Sequence, residues 1–254
     1  MSPLESVLVA LAGTAAGTIN TVVGSGTLIT FPTLLAFGVP PVTANVSNNI
    51  GLVPGSVTGA IGYRDELVGQ RSRVLRLLSA SLLGGAVGAV LLLQLPPGAF
   101  EAVVPVLIML GVVLVVVQPR LSSWVRRRAE ARGVEQVDRA WWVWPAVLLT
   151  GVYGGYFGAA QGVLLMGVLG IGVAQSLQRS NAVKNVLAAG VNGVAGLIFV
   201  FVADVDWRVV ALIGAGSVVG GLIGARIGKR LPPLALRAVI VVVGLTAFVA
   251  ILAT

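Results

Sequence analysis

Three short polar clusters interrupt an otherwise apolar chain, and their residue types suit the binding of an anion. The first is Asn20 and Thr21 leading into Gly24, Ser25, Gly26 and Thr27. A helix that breaks at such a turn exposes unpaired N–H groups where the next helical segment starts. Together with the helix dipole, those groups attract negative charge. The second cluster runs from Thr43 to Asn49 and holds Asn45, Ser47, Asn48 and Asn49. Asn45, Asn48 and Asn49 are three and four residues apart, so a helix would place them on one face. Each amide carries two N–H donors for an oxyanion. The third cluster runs from Arg179 to Asn185, with Asn192 two turns further on. Asn181, Lys184 and Asn185 again share a face. Gln161, in a second glycine-rich turn from Gly158 to Gly162, adds another donor.

Each cluster also has a plainer reading. The first glycine turn could be a packing turn, the asparagine run a loop at headgroup level, and Lys184 a lysine that snorkels to the surface beside Arg179. What separates these readings is depth in the membrane. A polar side chain or an ammonium at membrane depth is costly unless it finds partners. Lys184 has no Asp or Glu near it in sequence, so a bound anion would be a fitting partner.

Other chemistries lack their reagents. The chain has no cysteine and no histidine, which removes thiol nucleophiles, disulfides, haem ligation and the common zinc sites. No Asp or Glu falls mid-span, so carboxylate proton relays and carboxylate Na⁺ cages have little support. Gly228-Lys229 is followed by Arg230, and Ile223 stands where a Walker A motif needs its first glycine. The dinucleotide fingerprint fails as well, with Ile29 at its last glycine position. The reading is therefore of a protein that is not an enzyme and uses no cofactor and no metal.

The elements that must position these clusters are membrane helices. Hydrophobic residues make up 57% of the 254 residues and charged ones 10%. Apolar runs such as Ala102–Val117, Val209–Ala225 and Leu234–Thr254 approach the roughly 20 residues that a bilayer core of about 30 Å demands. A soluble domain of this size lacks the interior to hide so many. The expected fold is an all-α polytopic membrane protein in the cytoplasmic membrane, with about eight hydrophobic segments. The net charge of +8 does not signal nucleic acid. Fourteen of the 17 basic residues lie in Arg64–Arg76, Arg120–Arg139 and Arg226–Arg237, the pattern of cytoplasmic loops. Met1–Ser6 carries Glu5 and no basic residue, so Val7 onward is read as mature protein.

The hydrophilic stretch 118–139 divides the chain into an N-terminal membrane repeat, 1–117, and a C-terminal one, 140–254. Gly17, Gly24 and Gly38 match Gly151, Gly158 and Gly172 at an offset of 134. Asn45 and Asn49 match Asn181 and Asn185 at an offset of 136. Each half reads as an apolar stretch ending at a glycine turn, a short apolar segment, a polar-bearing helix and two plain spans. If the short segments form re-entrant hairpins, each half has an odd number of spans and the repeats are inverted, as in many secondary transporters. If they cross fully, the repeats are parallel. The hairpin places both termini outside and the stretch 118–139 inside.

These motifs resemble the TauE/SafE family of sulfite and organosulfonate transporters. The likeness lies in Gly24-Ser25-Gly26 with Leu28, Phe31-Pro32 and Leu34, in Gly38-Val39-Pro40-Pro41, in Ala44 and Ser47, and in the turn from Gly151 to Gly162. The family usually has a longer glycine run where this chain has Gly26-Thr27-Leu28. The resemblance implies transport of small sulfur-containing anions across the bacterial cytoplasmic membrane. The expected function is a secondary transporter of sulfite, a sulfonate or a similar anion; the alternative is an anion-selective channel with the same lining. The partners are then a small anion and the bilayer, with a homo-oligomer left open.

Overall fold

In the computed structural model, residues 1–131, 140–173, 175–227 and 233–252 are described. Among them the chain forms ten α-helices: α1 (Pro3–Val22), α2 (Thr27–Ala36), α3 (Pro41–Gly62), α4 (Arg71–Gln94), α5 (Pro97–Ala131), α6 (Val143–Tyr156), α7 (Gln161–Gly172), α8 (Leu177–Val202), α9 (Trp207–Ile227) and α10 (Pro233–Leu252). Eight are longer and two, α2 and α7, are short, with 10 and 12 residues. Ten residues of helix rise about 15 Å, half a bilayer core. Four helices are long and apolar enough to cross a membrane, lying within Arg71–Gln94, Gly98–Arg120, Leu177–Val202 and Trp207–Arg226. The chain is a polytopic helical membrane protein. Leu4, Leu11, Leu83, Val106, Phe201 and Val242 are among the large apolar side chains on its outer surface.

Boundaries follow local chemistry. Ser2 and Glu5 form a reciprocal capping box at the start of α1. Ser176 caps α8 by accepting from the Arg179 N–H. Pro41 and Pro3 enter their helices in the first turn, where no N–H is needed. Helix α5 runs past Gln118 and Pro119 to Ala131, because Arg, Ala, Leu and Glu dominate that stretch and favour helix. The remainder of the basic linker, 132–139, and the loop residues Lys229 and Arg230 lie outside the described residues.

The direction of each helix follows from which glycines meet which neighbours. Gly13 packs on Ile213 and Gly17 on Ser217, while Gly51 packs on Ile213 and Gly55 on Ser217. Helices α1, α3 and α9 therefore run the same way. Gly84 packs on Leu148 and Gly88 on Val152, so α4 and α6 run together. Gly190 meets Leu78 and Gly85 meets Val194, which adds α8 to that group. Helices α3 and α8 oppose one another, since Asn192 bonds Ser56 while Gly196 lies against Ile50. The two halves are thus inverted. The repeat is close in register: Gly17 on Ser217 recurs as Gly151 on Ser81, and Gly220 on Thr14 as Gly84 on Leu148. At these sites a Cβ would strike the facing backbone, so glycine sets the separation of the helices.

The short helices fold back. Gly26 lies against Ala16 of α1, and Thr27 and Thr30 of α2 meet Asn48 of α3. Because α2 and α3 form an antiparallel pair and α3 parallels α1, α2 returns toward the end where α1 began. The α1–α2 unit is a hairpin, followed by α3 and by the candidate spans of α4 and α5. Phe31, Phe100 and Phe157 stack edge to face beside it, with Phe31 and Phe157 centroids 5.1 Å apart. Each such aromatic pair adds about 0.5–1.5 kcal/mol beyond burial.

Candidate functional site

Helix α1 ends because its last carbonyls are taken over by other groups. Ile19 O accepts the N–H groups of both Val23 and Gly24, and Gly24 turns the chain at φ +90°. That conformation suits glycine. The Asn20 and Thr21 carbonyls then have no N–H ahead of them in the helix. Side chains of α8 serve them instead. Lys184 Nζ donates to Asn20 O at 2.9 Å and to Thr21 O at 3.3 Å. Asn181 Nδ2 and Asn185 Nδ2 both donate to Thr21 O, at 3.1 and 3.4 Å. The negative end of the α1 dipole thus faces a cation.

Lys184 is fully buried, with 0% of its surface exposed. None of the described carboxylates is buried. The lysine stem lies along Gly162, where a side chain would crowd it. Gly162 in turn gives its N–H to Gly24 O at 3.0 Å, so the two glycine turns touch. The second turn is built by Gly158 at φ +77° and Ala160 at φ +59°, and the Tyr153 hydroxyl donates to Ala159 O to hold it.

A cavity opens where these parts meet, with about 30 Å³ of space for the centres of water-sized groups. That accommodates about two such groups. Three pairs of its lining residues are equivalents across the repeat: Gly24 and Gly158, Thr27 and Gln161, Ser56 and Asn192. The cavity therefore lies on the pseudo-twofold axis. Asn20, Thr21, Lys184 and Asn185 complete its polar wall. The donors are asymmetric in chemistry: one ammonium, several amides and no acid. Gln161 Nε2 is buried without a partner. An ammonium has three N–H groups, and two of those of Lys184 are engaged by carbonyls.

Of the residues singled out in the sequence, Asn20, Thr21, Gly24, Thr27, Gly158, Gln161, Gly162, Lys184, Asn185 and Asn192 line this cavity. The others lie around it in different employment. Asn20 Oδ1 accepts the Gly26 N–H at 2.6 Å, so that backbone donor is used within the protein. Ser25 is buried and its hydroxyl has no partner. Asn45 donates to Tyr156 O at the end of α6, the mirror of what Asn181 does for α1. Ser47 accepts the Asp206 N–H beside the start of α9. Asn48 binds Thr27 and Thr30 of α2. Asn49 Oδ1 faces Gly196 of α8. The lining residues Ser56 and Ala188 carry no sequence signal of their own; Ser56 could have been found only as the equivalent of Asn192.

A family model described as sulfite exporter TauE/SafE matches residues 9–251. The chain is also similar to a probable membrane transporter protein, ORF9, of Sinorhizobium sp., 26% identical over 250 residues that cover 94% of this chain and 88% of that one. It is 26% identical to the probable membrane transporter protein YfcA of Escherichia coli strain K12, over 91% of this chain and 82% of the relative. A probable membrane transporter protein of Haemophilus influenzae is 24% identical over 84% of this chain and 81% of its own length.

Proposed function

The chain belongs to the sulfite exporter TauE/SafE family of membrane transporters, and on that premise we propose that it carries a small sulfur-containing oxyanion, sulfite first, across the cytoplasmic membrane as a secondary transporter. The observation that carries this reading is the cavity on the pseudo-twofold axis, with the Lys184 ammonium and amide donors in its wall. Broken helices of inverted repeats meeting near the midplane are the usual site of binding in such carriers. The Lys184 charge would offset that of the anion, and Asn185, Gln161 and Asn192 would hydrogen-bond its oxygens. The cavity's size suits a compact inorganic anion in this conformation better than a long sulfonate. Alternating access would follow from the two inverted halves exchanging conformations about the fixed site.

Export of a monovalent anion gains about 2.3 kcal/mol per 100 mV of inside-negative potential. None of the described carboxylates is buried, which suits that direction. The test is counterflow in proteoliposomes. Unlabelled sulfite inside should accelerate uptake of radiolabelled sulfite, with saturation. Flux proportional to concentration, without trans-acceleration, would point to a channel. Flux equal to that of protein-free vesicles would discard sulfite as substrate.

A further inference from the structure

The carbonyls at the end of α1 form a ligand set of a kind that bound alkali cations use. Unwound backbone carbonyls and half-helix C-termini hold Na⁺ in secondary transporters of inverted-repeat design. Here Asn20 O and Thr21 O point at one spot, and the spot is filled by Lys184 Nζ. Asn181 and Asn185 converge on the same Thr21 oxygen. Rotating either amide by half a turn would present an oxygen there in place of N–H. We propose that Lys184 is a tethered counter-cation. It occupies the place of a coupling ion, so the protein binds its anion without sodium or potassium, and removing the side chain opens a site for a small monovalent cation.

Three observations support this. The ammonium is fully buried, so its positive charge belongs to the interior and not to a surface. Its hydrogen-bond partners are peptide carbonyls rather than carboxylates, which matches the donor preference of Na⁺. The equivalent position in the other half, Asn48, has no charge and turns away to α2, so of the two equivalent helix ends only that of α1 receives a cation. Among the described residues, no group of acidic or histidine side chains could hold a metal ion elsewhere.

The first experiment needs no anion, so its outcome is separate from the proposed function. Full-length wild type, Lys184→Ala and Lys184→Met are purified, and melting is followed in sodium chloride and in N-methyl-D-glucamine chloride. Wild type should melt at the same temperature in both salts. Lys184→Ala should gain at least about 5 °C at saturating sodium, with a saturable dependence. Lys184→Met fills the space without charge or oxygen and should not respond. Sodium stabilisation of the wild type would overturn the proposal, as would a Lys184→Ala protein indifferent to sodium. If Lys184→Ala does not fold, Lys184→Ser, small and with an oxygen of its own, takes its place with the same readings. A second arm uses sulfite binding to wild type in the two salts. Equal affinity is expected, and a tenfold loss without sodium would place the coupling ion elsewhere and sink the idea. Absence of sulfite binding in either salt would count against sulfite alone.

Discussion

Lys184 stands in α8 where Asn48 stands in α3, 136 residues earlier, yet the two side chains leave their helices for different partners. Asn48 bonds hydroxyls of α2, the short helix of its own half. Lys184 reaches into the opposite half and grips the end of α1. Among the lining side chains, which also differ at Thr27/Gln161 and Ser56/Asn192, Lys184 alone breaks the symmetry of charge.

That break makes Lys184 the residue on which affinity should depend. Lys184→Met should insert and fold but lose anion affinity by roughly ten- to a hundredfold, since a hydrogen bond to a charged group contributes about 1.5–3 kcal/mol. Lys184→Arg should keep part of it, because charge survives while the shape changes. Titration of purified protein with sulfite measures both. An unchanged Lys184→Met affinity would assign the anion to amide groups alone.

Asparagines of the two clusters should divide by role. Asn185 lines the cavity, whereas Asn48 ties α3 to α2. Asn185→Leu should abolish most transport at near-normal expression. Asn48→Leu should lower the melting temperature, leaving the Thr27 hydroxyl unpaired, at about 1–3 kcal/mol if it stays buried, and Thr30 with only its bond to Gly26 O. Comparing flux with melting for each variant reads the division. Equal flux loss and equal destabilisation in both would contradict it.

The touching turns leave no room for a methyl group. A Cβ at Gly24 would collide with the Gly162 backbone, and Gly24 also sits at φ +90°. Gly24→Ala and Gly162→Ala should fail to yield monodisperse protein. Gly38→Ala is the control, with φ +76° and open space around it. It should cost about 1–2 kcal/mol from backbone strain alone and still fold. Size-exclusion profiles of the three decide the matter.

The orientation expected from the basic loops is open to direct labelling, because the chain has no native cysteine. Ser123 lies in the extension of α5. A Ser123→Cys protein should resist an impermeant thiol reagent in intact cells and react after permeabilisation. Labelling in intact cells would reverse the topology.

Much of this was readable from residue types. The offsets of 134 and 136 are real structural equivalences, visible in the way Gly17 and Gly151 pack. The two-residue slip between them falls after Gly38 and Gly172, in the turns that lead into α3 and α8. Polar residues in apolar helices marked Lys184, Asn185 and Gln161, since burial of such groups demands partners. What could not be read was the partner of each. Asn45, Asn48 and Asn49 share a face, but whether that face meets the axis or a neighbouring helix depends on packing across more than 100 residues of chain, as Asn45 to Tyr156 O shows. Nor could the sequence tell that the Gly26 N–H, a candidate anion donor, is already held by Asn20.

The glycine ridges bind α1 to α9 and α6 to α4, so each broken helix is fastened to a helix from the other repeat. The packed groups are accordingly interleaved: α1, α3 and α9 make one, and α4, α6 and α8 the other. A motion that rocks one against the other must flex α3 to α4 and α8 to α9, the short crossovers between bodies, rather than the long central linker. Hinges would then sit at Tyr63–Gln70 and Ala203–Asp206.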